Sequence, residues 1–275
     1  MRKLRVAAVQ LRSGIEPAAN RAQAMPLLRE AATAGARFIA TPENTMRLDL
    51  NRERMLGAAG PEEGDAELKA WARAAQELGV WLLLGSGPIA TGSGKVFNRS
   101  FVFNPDGKIV ARYDKINLFD VTLGGGENYR ESDTVEGGAR TVVVQGPSNA
   151  KIGLTICYDL RFAPLYSALA NAGAEIIAVP AAFTVPTGQA HWEVLLRARA
   201  IETGAFVIAP AQGGRHEDGR ATWGHSMIVD PWGKVLAQLD HDEPGVLVAD
   251  LDLDDVAAAR AKIPAWQGGR DFAKP

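Results

Sequence analysis

One cysteine in 275 residues leaves no partner for an internal disulfide. A reducing compartment follows, and the cytoplasm is the expected location. No apolar run approaches the roughly 20 residues that a membrane-spanning helix needs. Charge of one sign is also lacking: the net is −2, with acids and bases interspersed. That argues against a nucleic-acid surface or a polybasic membrane patch. Histidine is scarce, at four. No two of them stand at ligand spacing on one helix face, so no metal pair is offered. The triplet Gly124-Gly125-Gly126 is not a dinucleotide or phosphate-loop fingerprint. The opening "MRKLRVAAVQL" is too brief for a signal peptide.

What is present is ordinary material for a packed core, with 47% hydrophobic and 23% charged residues. Strand-like runs alternate with amphipathic helical stretches along the chain. "LRVAAVQL", "RFIATPEN" and "VWLLLGSG" read as strands, with helices over "PAANRAQAMPLLREAATAGA" and "DAELKAWARAAQELG" between them. "VFNRSFVFNPDGKIVARYDKI" folds back at Asn104-Pro105-Asp106-Gly107 as a hairpin. The second half repeats the theme with "KIGLTI", "EIIAVPAAF" and "AFVIAPAQ" as strands, followed by a hairpin at Asp230-Pro231-Trp232-Gly233. No linker interrupts the pattern, so residues 1–275 read as one domain. Pattern alone leaves a pseudo-duplicated sandwich and a doubly wound sheet both open. "LGGGENYRESDTVEGGAR" reads as a long functional loop. The tail from about residue 262 carries little packing signal and is read as loose or docked on a partner subunit.

The lone Cys157 ends an apolar strand and precedes a helix-like segment. A free cysteine is commonly just a small buried apolar residue. At a helix start, though, the dipole and the free N–H groups favour thiolate, the logic of a nucleophile elbow. Such a nucleophile needs a base and an oxyanion donor. Among the histidines, His191 reads as structural or substrate-contacting and His225 as a satisfied core residue, while composition leaves a Cys-His pair open. His216 and His241 read as solvated turn residues. Glu43, after a strand and a proline, is either a turn residue or a partly buried base. Lys115, at the end of a hairpin strand, either snorkels to solvent or is a fixed cation. Trp192, Trp223 and Trp232 read as packing residues.

Taken together, "TPEN" at Glu43, "YDKINLFD" at Lys115 and "GLTICYDLRFAPLY" at Cys157 resemble the Glu-Lys-Cys pattern of the nitrilase superfamily, the carbon–nitrogen hydrolases. The similarity runs over nearly the whole chain. "AFTVPTGQAHWEVLLRARAIETGAFVIAPAQGGRHE" and "GHSMIVDPWGKVLA" look like the branch that acts on deaminated glutathione, and "TG-x-AHWE" is shared with the omega-amidase branch. The resemblance implies an α/β fold, a four-layer α-β-β-α sandwich, in homodimers or larger homo-oligomers. It implies a cofactor-free, metal-free amidase that converts a small linear amide to acid and ammonia through a cysteine thioester. Deaminated glutathione is the expected substrate, with α-ketoglutaramate or α-ketosuccinamate as the alternative. A catalytically silent interaction protein of the same fold is the reading from another class. The implied roles are Cys157 as nucleophile, Glu43 as general base, and Lys115 with the Tyr158 backbone N–H as oxyanion donors. A second glutamate after the lysine is assigned to Glu131, with Glu127 as its rival. Arg161 would clamp a substrate carboxylate, its bland alternative being a surface salt bridge to Asp159. Phe183 and Thr184 would line the pocket.

Overall fold

The computed structural model describes residues 2–123 and 128–268. Its first half runs β1 (Lys3–Gln10), α1 (Pro17–Thr33), β2 (Phe38–Ala40), α2 (Arg52–Ala58), α3 (Ala66–Leu78), β3 (Trp81–Ala90), β4 (Val96–Phe103) and β5 (Ile109–Asp114). A short hairpin follows, β6 (Asp120–Thr122) and β7 (Asn128–Arg130). The second half runs β8 (Val142–Gln145), β9 (Lys151–Leu154), α4 (Ala163–Asn171), β10 (Ile176–Ala178), α5 (Val185–Thr203) and β11 (Phe206–Ala209). It closes with β12 (Gly213–Arg215), β13 (Ala221–Trp223), β14 (Met227–Val229), β15 (Val235–Gln238), β16 (Gly245–Asp252) and α6 (Asp254–Lys262).

Alternate residues of β1 enter different cores. Leu4, Val6 and Ala8 pack with the second sheet, while Ala7 and Val9 pack with α1 and α3. A strand buried on both faces lies between two layers, which is why its sequence is almost continuously apolar. Among the described residues there are two six-stranded sheets, β16-β1-β2-β3-β4-β5 and β15-β14-β11-β10-β9-β8. Each has a parallel trio at its centre, β1-β2-β3 or β9-β10-β11, and antiparallel strands outside it. The sandwich is therefore duplicated in plan. Ala24 and Leu28 of α1 and Leu68, Trp71 and Ala75 of α3 cover the first sheet. Leu165 and Leu169 of α4 and Trp192, Leu196 and Ala200 of α5 cover the second. The result is the four-layer α-β-β-α sandwich.

Local signals set the helix ends. Asp65 caps α3 by accepting from the Leu68 N–H at 2.8 Å, and Gly79 closes it at φ +63°. Gly204 closes α5 the same way, at φ +58°. The loop expected over 123–140 is more structured than its composition implies. The hairpin β6–β7 and a 3-10 turn at Glu131–Asp133 occupy part of it, and short strands with few apolar residues leave little periodic signal. In the tail, a 3-10 turn at Pro264–Gln267 sets the Trp266 ring under Arg260. Residues 269–275 lie outside the described residues. Trp232 departs from the packing expectation: it is 57% exposed, with Lys262 above its ring.

Candidate active site

The site stands beyond the C-terminal ends of β2, β5, β9 and β10, where parallel sheets leave a crevice. Glu43 sits in the turn after β2. Its backbone carbonyl accepts from the Gln212 side chain at 2.9 Å. The next residue, Asn44, has φ +59°, and its N–H donates to Ser86 Oγ at 2.7 Å. Gly85 permits this turn: a Cβ there would lie 2.1 Å from both the Thr41 and Pro42 carbonyl oxygens. Lys115 directly follows β5.

Cys157 opens a five-residue 3-10 turn, Cys157–Arg161, at φ +49°. A non-glycine residue in that region is strained by about 1–3 kcal/mol, and its surroundings must hold it there. The Cys157 N–H donates to the Pro180 carbonyl at 2.8 Å. The buried Asp159 carboxylate ties down the rest of the turn. It accepts from Tyr113 Oη at 2.7 Å, the Ile156 N–H at 2.9 Å, and the Asn117 N–H and Nδ2 at 2.9 and 2.8 Å. Asp159 thus welds the elbow to the end of β5, beside Lys115.

Lys115, Glu43 and Cys157 are 2, 3 and 7% exposed. Lys115 Nζ donates to Glu43 Oε1 and to Glu131 Oε2, each at 2.8 Å. Glu131 Oε2 also accepts the Phe119 N–H at 2.7 Å. Burial works against the ammonium, but Glu131 and Glu43 outweigh it and hold Lys115 well above the usual lysine range. Burial pushes the Cys157 thiol well above its ordinary range, and the Glu43 carboxylate adds to this. Lys115 and a hydrogen bond from the Ala182 backbone N–H pull the other way without prevailing.

The cluster opens on a cavity of about 470 Å³, lined among others by Asn44, Leu50, Arg52, Phe119, Arg161 and Arg220. Tyr158, Phe183 and Thr184 line it too. The Tyr158 ring stands edge-on to Phe119 and Phe162 at 5.2 and 5.4 Å. The Arg161 guanidinium lies over the rings of Tyr158 and Phe183, and meets His191 Nδ1 at 3.2 Å. Thr184 begins α5 and shares a hydrogen bond with Thr187 at 2.8 Å. Among the described residues, no three His, Cys, Asp or Glu side chains converge as a metal-ligand set.

The family model for carbon-nitrogen hydrolases matches residues 5–261. The chain belongs to the carbon-nitrogen hydrolase family. It is a hydrolase of carbon–nitrogen bonds other than peptide bonds. It is 39% identical over 270 residues to the deaminated glutathione amidase of Synechocystis, covering 97% of this chain and 98% of that one. Its fold superposes on the Caenorhabditis elegans NitFhit protein with a TM-score of 0.88 at 32% identity, over 98% of this chain and 65% of that longer one. It also superposes on a variant of the amidase from Nesterenkonia sp. AN1, with a TM-score of 0.80 and 25% identity over 95% of each chain. That structure carries the acetamide moiety of fluoroacetamide covalently added at its active-site cysteine.

In this carbon-nitrogen hydrolase, Glu43, Lys115, Glu131 and Cys157 converge from four separate stretches, and Tyr158, Arg161, Phe183 and Thr184 ring the cavity beside them. Glu127 lies outside the described residues. Arg161 makes no salt bridge with Asp159, whose oxygens are taken by the elbow's own donors. Two expectations are corrected. Cys157 does not begin an α-helix: α4 starts only at Ala163, and burial beside a carboxylate favours the neutral thiol over thiolate. His216 is not solvated. It is 5% exposed, with Nδ1 at 2.9 Å from the Ser13 carbonyl and Nε2 at 2.7 Å from Thr222 Oγ1. His241 is exposed as read, and His225 is satisfied but only half-buried, its Nδ1 2.6 Å from the Trp223 carbonyl.

Two participants went unseen in the sequence, the Ala182 N–H and Asn98. Asn98 Nδ2 donates to Glu43 Oε1 at 2.9 Å and to Glu131 Oε1 at 3.2 Å. A backbone donor has no sequence signal. Asn98 had one, being a polar residue on the inward-facing alternation of β4, between Val96 and Ser100.

Proposed function

We propose that this protein is an amidase that hydrolyses the terminal carboxamide of a small linear amide, with deaminated glutathione as its preferred substrate. The observation that carries this reading is the Glu43–Lys115–Glu131 cluster, its first two members buried, set beside a strained cysteine elbow and open to one cavity. In the first step Glu43 takes the Cys157 proton as sulfur attacks the carboxamide carbon. An ammonium has three hydrogens, and Lys115 has committed two of them to carboxylates, so the third faces the growing oxyanion. With the Tyr158 backbone N–H it receives that charge, and a donor of this kind lowers the barrier by roughly 3–4 kcal/mol. Glu43 returns the proton to the leaving nitrogen, ammonia departs, and a thioester remains. Glu43 then deprotonates water, which attacks the thioester and releases acid and thiol. Glu131 holds Lys115 in place.

Arg161 is assigned to a substrate carboxylate, for which a guanidinium with aromatic backing is suited. The preference for a long amide is supported by a cavity that extends from Cys157 to Leu50, Arg52 and Met55 beside α2 and has the volume of a drug-sized ligand site. A short keto-amide such as α-ketoglutaramate would leave that end empty. We further read the protein as one cytoplasmic hydrolase domain that forms homodimers or larger oligomers. Val194 and Ile201 of α5, 68 and 52% exposed, support an apolar contact there. No described helix is long and apolar enough to cross a membrane. The test compares ammonia release from deaminated glutathione and α-ketoglutaramate, with Cys157→Ala as blank. Higher kcat/KM for the longer amide supports the reading, preference for the keto-amide moves the protein to omega-amidase chemistry, and no release from either overturns the substrate class.

A further inference from the structure

Asn98 occupies an unusual position between the buried Glu43 and the partly buried Glu131. Its amide nitrogen donates to Glu43 Oε1 and to Glu131 Oε1. Its backbone carbonyl accepts the Lys115 N–H at 3.0 Å, so one residue touches the other three members of the charged cluster by backbone or side chain. Its side-chain oxygen, by contrast, is buried without a hydrogen-bond partner. The amide cannot be turned over to relieve this, because the oxygen would then face two carboxylates. A residue selected for stability alone would not leave a buried acceptor unpaired. The unpaired oxygen is the consequence of needing both amide hydrogens on the acids.

The consequence for Glu43 is regiochemical. Lys115 and Asn98 both donate to Oε1. Neither donates to Oε2, which is therefore the oxygen with lone pairs left for a proton. We propose that Asn98 is a positioning residue that fixes Glu43 through Oε1, so that Oε2 receives the Cys157 proton and later delivers it to the leaving nitrogen. This rests on the assignment of Glu43 as the base. Asn98 lines the same cavity, and the role assigned to it is through Glu43 rather than on the reacting atoms. It acts by holding the carboxylate plane, and a misaimed base costs turnover more than binding.

The test follows ammonia release from deaminated glutathione by the full-length protein between about pH 5 and about pH 9, with thermal unfolding measured alongside. Asn98→Ala is expected to lower kcat roughly 10- to 100-fold, the range for losing hydrogen bonds to a charged group, with KM little changed. The acid limb of kcat/KM should move to higher pH, because a carboxylate cluster that loses a donor holds its proton longer. Asn98→Asp places a third carboxylate in the cluster. It should be worse than alanine at neutral pH and recover toward wild type as pH falls, since a protonated aspartate donates one of the two lost bonds. A purely structural role would change unfolding without moving either profile. Wild-type kcat and acid limb in a folded Asn98→Ala overturn the proposal. Should alanine fail to fold, an Asn98→Asp to wild-type activity ratio that stays flat with pH overturns it instead. Glu43→Gln separates the two layers. If it retains wild-type turnover, the base assignment fails and the positioning role falls with it. If it is inactive while both Asn98 variants behave as wild type, the positioning role alone fails.

Discussion

Replacing Lys115 with methionine tests the electrostatics of the site at its buried centre. The side chain is 2% accessible and its ammonium is 2.8 Å from each of two carboxylates. Methionine fills similar space, so the change is largely one of charge. Breaking a buried ion pair from one side typically costs about 3–5 kcal/mol, because the surviving charge is left uncompensated. Here two survive and face each other. The variant should unfold at lower urea concentration, by about that much at pH 8. The deficit should shrink as pH falls, since protonating one carboxylate relieves the repulsion. In the wild type the sign runs the other way. Lys115 titrates above its ordinary value, so its contribution is complete below about pH 10 and is lost as pH rises through the folded-state value. Turnover should fall at least roughly 100- to 1,000-fold from loss of the oxyanion donor. Urea titrations at several pH values and an ammonia assay read these separately. A variant as stable as wild type at pH 8, or one that keeps full turnover, would refute the reasoning.

Two further outcomes follow from the same geometry. Arg161→Ala should raise KM for a carboxylate-bearing amide roughly 10- to 100-fold and leave kcat nearly unchanged, whereas a neutral amide such as propionamide should show no such loss; equal effects on both would remove the clamp. Asp159→Ala strands the Tyr113 hydroxyl, the Ile156 N–H and two Asn117 donors in the interior. It should destabilise the protein by about 3–5 kcal/mol and slow turnover in whatever fraction remains folded, which calorimetry paired with active-site titration would show.

The longer strands were legible because each advertises its own burial, while the choice between a duplicated sandwich and a doubly wound sheet came from the resemblance and not from the pattern. β1 and β3 are nearly continuous apolar runs, and the hairpins carry their turn residues at Asn104–Gly107 and Asp230–Gly233. Hairpin β6–β7 was not legible, since three-residue strands in a glycine-rich stretch leave no period to detect. At the site, Glu43, Lys115 and Cys157 were each ambiguous taken singly, and it was the resemblance carried by "TPEN", "YDKINLFD" and "GLTICYDLRFAPLY" that singled them out. Their charge states were not legible. The thiol was expected to favour thiolate from a helix dipole, but the turn at Cys157 is 3-10, and burial beside Glu43 decides the matter. His216 was misread for a related reason. "GRHEDGR" is polar in composition, yet the chain folds that turn against Ser13 and Thr222, more than 200 residues and 6 residues away respectively. The alternation of β4 marked Asn98 as an inward polar residue, but its partners lie 55 positions before it and 33 after it, beyond the reach of any local pattern.

A thioester between substrate and Cys157 is central to the proposed chemistry, and acid-quenched mass spectrometry tests it most directly. The protein would be mixed with deaminated glutathione, quenched during turnover, digested and mapped. The prediction is a mass increase equal to the substrate less ammonia, confined to the peptide that contains Cys157, absent in Cys157→Ala and removed by hydroxylamine. Continued turnover by Cys157→Ala, or acylation at another residue, would contradict it.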